Sequence, residues 1–212
     1  VFVSSFMCGE AQSVYIDGSF AYVGDWINKQ MHITDISDIK NPVCASTVNV
    51  DGFADGICVR SGICYIASGH HSSRLKNRRK YDKYPFVTEQ MLREGYGGGH
   101  GLEIYDVSDP YQPEYLSNIK FPPMFGAPDF WKVSLSGNTA FVCDSSNGMF
   151  AVNVSDTLNP YIGAYYTGAL EEKINASAPQ IQIRHMPINF CKCLDGYVYA
   201  AGEGNGLHIV RY

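Results

Sequence analysis

Met31-His32-Ile33-Thr34-Asp35-Ile36-Ser37-Asp38 decides the fold, because the same pattern returns twice further along the chain, at 102–109 and 149–156. Apolar residues alternate with other residues up to a Ser-Asp pair, and a proline follows the aspartate at Pro42, Pro113 and Pro160. Alternation with a period of two is typical of a half-buried β-strand. Aspartate can bond to its own backbone and proline fixes φ, so each copy predicts a strand that ends in a turn.

A turn glycine and an aromatic strand precede each copy, and another strand follows it. The turn glycines are Gly18, Gly62, Gly137 and Gly196. The pattern predicts second strands at 20–23, 64–67, 140–143 and 197–200, and third strands at 31–35, 102–106, 149–153 and 207–211. Fourth strands are predicted at 43–48, 114–119 and 161–166. Four copies of one β-meander therefore occupy most of the chain.

The signature of alternating apolar residues, Asp, Ser-Asp and Pro resembles the LVIVD-repeat family. The resemblance implies a β-propeller and carries no catalytic residues with it. The interval from Gly18 to Gly62 fits a four-stranded blade of roughly 40 to 45 residues, while the two later intervals are longer. We therefore expect an all-β fold in which 1–212 is a single propeller domain, or a portion of one, with four visible repeats.

The two ends of the chain suggest how the propeller closes. The last copy reaches Tyr212 without a Ser-Asp turn, so its blade lacks a fourth strand, and residues 1–6 resemble the fourth strand at 43–48. Pairing of 1–6 with 207–211 would close a four-bladed ring and remove an unpaired edge. The alternative is that these repeats are part of a larger propeller whose other blades lie elsewhere, including on another chain.

Charge and composition exclude several classes of function. The net charge is −5, with no sustained basic stripe, so nucleic acid is not expected as a partner. No apolar run approaches the roughly 18 residues of a membrane span. Most of the seven cysteines fall in predicted strands, which favours free thiols and a cytoplasmic location, with Cys58 and Cys64 as the pair to check for a disulfide. A secreted form whose signal peptide has been removed stays open, since the chain opens on Val1.

Two long insertions are expected on one face of the propeller. The first, at about 68–101, joins the second and third strands of the second repeat, and the other, at about 167–187, joins the third repeat to the fourth. Loops of these two kinds share a face, which we call the upper face. Long ordered loops in a compact domain are more often functional than idle, so the site is predicted there.

Four histidines belong to these insertions, and they are the predicted metal ligands: His70, His71, His100 and His185. Neutral imidazole is a common ligand for divalent metals and a general base near neutral pH. The sequence therefore predicts one divalent metal ion of unknown identity. The alternative is that these are exposed loop histidines without a ligand.

Carboxylates recur at the upper face as well. Counting seven residues past each turn glycine gives Asp25, Gly69, Asp144 and Glu203. Combined with imidazoles, such carboxylates could work as acid and base, so the predicted catalytic set is His100, His185, Asp144 and Glu203. The reaction class would be a metal-assisted hydrolase or lyase. The alternative is that Asp25 and Asp144 simply cap turns.

Two tryptophans complete the predicted ligand site. Trp26 and Trp131 could stack on sugar rings, with Asp25 and Arg184 as polar contacts, so a small polar or glycoside-like ligand is expected. Indoles in propellers also serve as packing between blades, and that reading stays open.

The alternative function is a non-catalytic scaffold for protein partners, since a fold does not imply a chemistry. In that case the basic segment 74–81 and the aromatic residues after it would form the contact element.

Overall fold

The computed structural model describes residues 1–26, 28–69, 101–121, 129–145, 147–166, 170–173, 181–184, 187–202 and 206–212. Its strands are β1 (Ala11–Asp17), β2 (Phe20–Asp25), β3 (Gln30–Asp35), β4 (Val43–Asn49), β5 (Phe53–Arg60), β6 (Ile63–Gly69), β7 (Gly101–Asp106), β8 (Glu114–Ile119), β9 (Phe130–Ser136), β10 (Thr139–Asp144), β11 (Gly148–Asn153), β12 (Tyr161–Tyr166), β13 (Leu170–Lys173), β14 (Ile181–Arg184), β15 (Phe190–Leu194), β16 (Tyr197–Gly202) and β17 (Gly206–Arg211).

These strands form antiparallel sheets in chain order. The first sheet is β1-β2-β3-β4, the second β5-β6-β7-β8 and the third β9-β10-β11-β12. The fourth sheet, β15-β16-β17, has three strands, and β13 pairs with β14 in a separate hairpin. Every predicted second, third and fourth strand is confirmed, with bounds that differ by at most two residues.

The predicted turns form by the expected mechanism. Asp38 accepts hydrogen bonds from the Lys40 backbone N–H at 2.9 Å and from Asn41 Nδ2 at 2.8 Å. Asp156 repeats both contacts with Leu158 and Asn159. The carboxylate thus accepts hydrogen bonds from N–H groups of the turn in place of water. This stabilises the turn that follows the third strand.

The core lies between neighbouring sheets. Ile33 of the first sheet is buried in one cluster with Ile57 and Val59 of the second. Ile104 of the second sheet is buried with Val133 of the third. Strands β1, β5, β9 and β15 contact one another in succession, so the first strands of the four sheets line the propeller axis.

The predicted pairing of 1–6 with 207–211 is wrong. Residues 1–6 form no strand, and the fourth sheet contains no strand beyond β17 in the described part of the chain. Instead, Ser4 Oγ donates a hydrogen bond to the Ile39 carbonyl oxygen, and the Phe6 ring lies 6.0 Å from that of His32. These contacts hold residues 1–6 against the first sheet.

The cysteines are all free, including Cys58 and Cys64, which the sequence singled out as a pair to check. Cys64 is fully buried and Cys58 is nearly so. Both therefore behave as small apolar side chains in the core. No helix suited to crossing a membrane occurs in the described ranges.

Candidate functional site

Asp25 lies at the end of β2 on the upper face and is fully buried. Its carboxylate accepts hydrogen bonds from the backbone N–H groups of Gly9 at 2.9 Å, Glu10 at 3.0 Å and Asn28 at 3.3 Å, and from the side chains of Asn28 at 2.8 Å and His32 at 3.2 Å. Burial raises the pKa of Asp25, but these bonds favour the charged form and together hold the pKa well below its usual range. Asp25 thus joins the loop after β2 to the segment before β1.

Asp144 occupies the corresponding position after β10 and is also fully buried. It accepts hydrogen bonds from the Asn147 backbone N–H at 3.0 Å and from Asn147 Nδ2 at 2.9 Å. Each of the two aspartates accepts hydrogen bonds from the asparagine of an Asp-x-x-Asn segment. Both carboxylates therefore cap their loops, which is the alternative role that the sequence analysis named for them. The catalytic role predicted for Asp144 and the ligand role predicted for Asp25 stay predictions.

The two tryptophans differ in exposure. Trp26 is buried, and its ring lies 4.8 Å from the Phe53 ring of the second sheet. Trp131, in β9, is partly exposed. Trp26 therefore packs between blades, while part of the Trp131 side chain is exposed to solvent. The stacking on sugar rings predicted for both stays a prediction.

The predicted metal ligands His70, His71, His100 and His185 lie outside the described residues, as do Glu203 and the basic segment 74–81. Arg184 belongs to β14, where only the backbone is described. Within the described ranges no three His, Cys, Asp or Glu side chains gather into a group that could hold a metal. The divalent metal ion stays a prediction.

Two buried carboxylates on the upper face escaped the sequence analysis. Asp55 accepts a hydrogen bond from the Gly69 backbone N–H at 3.3 Å, and Asp129 accepts one from Ser145 Oγ at 2.9 Å. A methyl group added to Gly69 would lie 2.7 Å from Asp129 Oδ1, so both carboxylates border this glycine. Counting from the turn glycines could not find them, because Asp55 lies near the start of β5 and Asp129 lies just before β9.

A third buried carboxylate, Glu103, lies in β7. Its Oε1 accepts hydrogen bonds from the Asp51 backbone N–H at 3.0 Å and from Ser68 Oγ at 3.3 Å, and its Oε2 accepts one from the Tyr105 hydroxyl at 2.8 Å. Burial raises the pKa of Glu103 above its ordinary value, although these donors oppose the shift. Burial likewise raises the pKa of Tyr105 far above the usual value for a phenol.

A cavity of about 280 Å³ lies at the propeller axis, and we call it the axial pocket. First strands of all four sheets line it, with the residues Tyr15, Ile57, Cys58, Arg60, Lys132, Val133, Ser134, Leu135, Phe190, Cys191, Lys192 and Cys193. Three of these side chains are cationic, and none of the lining side chains is a carboxylate. The pocket is therefore a site of positive potential in an acidic chain.

Contacts within the axial pocket fix several of its side chains. Lys132 Nζ lies 5.6 Å from the centre of the Phe190 ring, and Arg60 donates a hydrogen bond to the Gly137 carbonyl oxygen. Burial raises the pKa of the Cys58 thiol, while Arg60 and Lys132 act in the opposite direction because they favour the thiolate. The cations thus lie close enough to the cavity to affect a group inside it.

Two other cavities lie between elements rather than at the axis. One, of about 390 Å³, separates residues 3–8 from the first sheet. The other, of about 430 Å³, lies between the third and fourth sheets. Their linings are largely apolar, so they lack the convergent polar groups typical of ligand sites.

Comparison with known proteins supports the fold. The LVIVD repeat model matches residues 8–50 and 129–167. Similar solved structures include the computationally designed Ika4 protein, with 6% identity, a TM-score of 0.59, and coverage of 98% of this chain and 94% of that one. BamB from Moraxella catarrhalis is 12% identical, with a TM-score of 0.56 over 96% of this chain and 46% of its own.

A protein from Lactobacillus plantarum is 13% identical, with a TM-score of 0.54 over 95% of this chain and 56% of its own. The chain thus spans about half the length of these two natural proteins. No curated protein matches it. At such low identity the structural likeness concerns the fold alone. Together with the repeats of meander sheets described above, these matches identify the chain as an all-β protein of the β-propeller class with two segments, 8–50 and 129–167, that match the LVIVD repeat.

Proposed function

We propose that this chain is a binding protein and that the axial pocket takes a small anionic molecule bearing carboxylate or phosphate groups. A repeat propeller fold supports a binding or scaffold role. The observation that carries the finer proposal is that Arg60, Lys132 and Lys192 all line one cavity whose lining contains no carboxylate.

Electrostatics favours an anion in this position. The whole chain has a net charge of −5, so three cations in one cavity differ in sign from their surroundings. A cleft with low-dielectric walls focuses the field of its charges on a ligand. At an effective dielectric constant of about 20, one ion pair at about 4 Å contributes roughly 4 kcal/mol before desolvation costs.

The remaining lining narrows the ligand class. Arg60 can present a planar pair of donors to a carboxylate or phosphate, and Phe190 supplies an apolar wall beside Lys132. Ligand pockets in proteins usually measure about 300–1,000 Å³, and this cavity of about 280 Å³ lies at the lower limit. A small organic anion therefore fits better than a polymer or a large cofactor.

Isothermal titration of the full chain with phosphate, pyrophosphate and citrate tests the proposal. We expect at least one of these anions to bind, more weakly as salt rises. Lys132→Gln and Arg60→Gln should each weaken binding at least about tenfold, which corresponds to 1.4 kcal/mol. Lys40→Gln, at an exposed turn lysine, is the matched control and should leave affinity unchanged. No binding at millimolar anion, or equal binding by all variants, would contradict the proposal.

A second candidate is the metal-assisted hydrolase or lyase predicted from the histidines, acting on a glycoside-like substrate in the cytoplasm. One observation favours it: Asp55 and Asp129 both border Gly69, and His70 is the next residue. Elemental analysis of the purified chain should then find a stoichiometric divalent metal that is lost in His100→Ala and in His185→Ala. A metal-free wild-type protein would refute this candidate and leave the anion proposal untouched.

A further inference from the structure

The cations of the axial pocket enter it at different levels along the propeller axis. A methyl group added to Gly56 of β5 would lie 2.7 Å from Lys132 Cα, so these two residues are level with each other. Arg60 comes four residues after Gly56 in the same strand. Because a strand rises about 3.3 Å per residue, the Arg60 backbone lies about 13 Å from the level of Lys132. Positive charge is therefore placed at two separate ends of one cavity.

Contacts of the two side chains maintain this separation. Arg60 donates a hydrogen bond to the carbonyl oxygen of Gly137 in the turn after β9, so its guanidinium lies at the end of the pocket away from the upper face. Lys132 Nζ lies 5.6 Å from the centre of the Phe190 ring, and Phe190 is the first residue of β15. First strands begin at the upper face, so this ammonium group lies at the opposite end. We call these the lower end and the upper end of the pocket.

Lys192 belongs to the upper end. Its neighbour Cys193 donates a backbone hydrogen bond to Ser134 Oγ at 3.1 Å. Ser134 comes two residues after Lys132 in β9. Lys192 is thus nearer in level to Lys132 than to Arg60. Two lysines therefore belong to the upper end of the pocket and one arginine to the lower end.

The wall between the two ends is uncharged. Cys58, Val133 and Leu135 line this part of the pocket. Burial raises the pKa of the Cys58 thiol, so this side chain is neutral at neutral pH. Val133 is buried, and its side chain is apolar. A hydrocarbon segment of a ligand can pack against this wall, whereas a charged segment would lose its hydration there without gaining a partner.

We infer that the ligand of the axial pocket is an extended dicarboxylate, with one carboxylate at Arg60, the other at Lys132 and a hydrocarbon chain between them. This inference rests on the anion site proposed above and names its ligand class. One N–H of the guanidinium is used by Gly137, and an arginine has five N–H donors, so others remain for a carboxylate. A compact anion reaches only one end. Two linked carboxylates engage both ends, and such linkage multiplies affinity.

The first experiment is isothermal titration of the full chain with dicarboxylates of increasing length, which are succinate, adipate and suberate. Hexanoate is the matched control ligand, because it has the chain length of adipate but only one carboxylate. We expect adipate or suberate to bind at least about tenfold more tightly than hexanoate, because the second carboxylate meets a second cation. The same margin over succinate is expected, since succinate is too short for a separation of about 13 Å.

The outcomes separate this inference from the proposed function. If hexanoate, succinate or phosphate binds as tightly as the longer dicarboxylates, the inference is overturned and the anion site still stands. If no anion binds, both are overturned.

Removal of either cation tests the assignment of the two ends. In Arg60→Gln and in Lys132→Gln, adipate should lose its advantage over hexanoate, because only one end can still hold a carboxylate. Lys29→Gln is the matched control, since Lys29 Nζ lies 5.3 Å from the centre of the Phe53 ring in the same kind of contact, and neither residue lines the pocket. This control should keep the wild-type preference. A preference for adipate that survives both glutamine substitutions would overturn the inference.

Charge reversal at one end gives a test that does not depend on loss of binding. Arg60→Glu should bind ε-aminocaproate, which has an ammonium group in place of one carboxylate, more tightly than adipate, whereas the wild type should prefer adipate. Binding of ε-aminocaproate also reports that the variant is folded. If circular dichroism shows that Arg60→Glu does not fold, Lys132→Glu tests the same reversal at the upper end. A folded reversal variant that still prefers adipate would overturn the inference.

Discussion

Asp25 connects three parts of the first sheet through one side chain. Its oxygens accept hydrogen bonds from the segment before β1, from the loop after β2 and from His32 of β3. The donors hold the carboxylate in its charged form, although the residue is buried. Loss of this acceptor would leave several buried donors without a partner, and such groups are costly.

Asp25→Ala should lower the free energy of unfolding by about 3 kcal/mol, since a buried acceptor with several donors is lost. Asp38→Ala, at an exposed turn, is the control and should cost much less. Because the folded pKa of Asp25 is depressed, its stabilisation is present above the unfolded pKa of about 3.9 and is lost as pH falls through the folded value. Urea unfolding between pH 3 and 7 should therefore show a weaker acid dependence in Asp25→Ala. Equal slopes would contradict this account.

The pKa of Glu103 is shifted in the opposite direction to the pKa of Asp25. Burial raises the folded pKa of Glu103 above the ordinary value, so at a pH between the unfolded and the folded pKa the native state binds more protons than the unfolded state. Its contribution is full below the unfolded pKa of about 4.3 and is lost as pH rises through the folded value. Glu103→Gln keeps an acceptor for Asp51 and Ser68 and should remove this loss. The gain in stability over wild type, measured by urea unfolding, should be larger at pH 8 than at pH 5.

The spacing from the turn glycines predicted that Asp25 and Asp144 lie on the upper face. It did not predict which groups donate hydrogen bonds to their carboxylate oxygens. The Asp-x-x-Asn contacts depend on loop geometry that a count from the turn glycines does not contain. Asp55, Asp129 and Glu103 were missed because they lie away from the spacing of seven, and their burial depends on neighbouring sheets.

At the scale of elements, the sequence pattern correctly predicted the strands that pair with a neighbouring strand along the chain. The predicted second strands follow a glycine turn, the fourth strands follow a Ser-Asp turn, and each strand pairs with a strand adjacent to it along the chain. Residues 1–6 have a strand-like composition similar to that of 43–48, but their pairing depends on how the first and fourth sheets are placed. That placement follows from packing angles between blades, which the alternation of apolar residues does not specify.

Close approach between sheets gives a prediction at this scale. A methyl carbon at Gly24 of β2 would lie 2.0 Å from the carbonyl oxygen of Ala54 in β5. Gly24→Ala should therefore lower the free energy of unfolding by about 2 kcal/mol, as overpacking of a rigid core does. Gly163→Ala is the control, because its methyl group would meet only Ala151 O at 3.7 Å. Similar unfolding midpoints for the two variants would contradict this close contact.

For the whole molecule, the sequence predicted the propeller but not the axial pocket. Arg60, Lys132 and Lys192 come from three different sheets and occupy three different positions of the first strand. No repeat spacing relates them, so only the folded chain brings them together. The upper face was predicted from insertion loops, and its histidines remain to be tested by metal analysis.

The chain order of the strands within each sheet also bears on how the protein folds. Every hydrogen-bonded neighbour in the four sheets is the adjacent strand in sequence. Except for the long connection between β6 and β7, these contacts close short loops at low entropic cost. A sheet can therefore assemble as soon as its own strands leave the ribosome, without waiting for the rest of the chain. Docking of sheet on sheet would then follow as a later step.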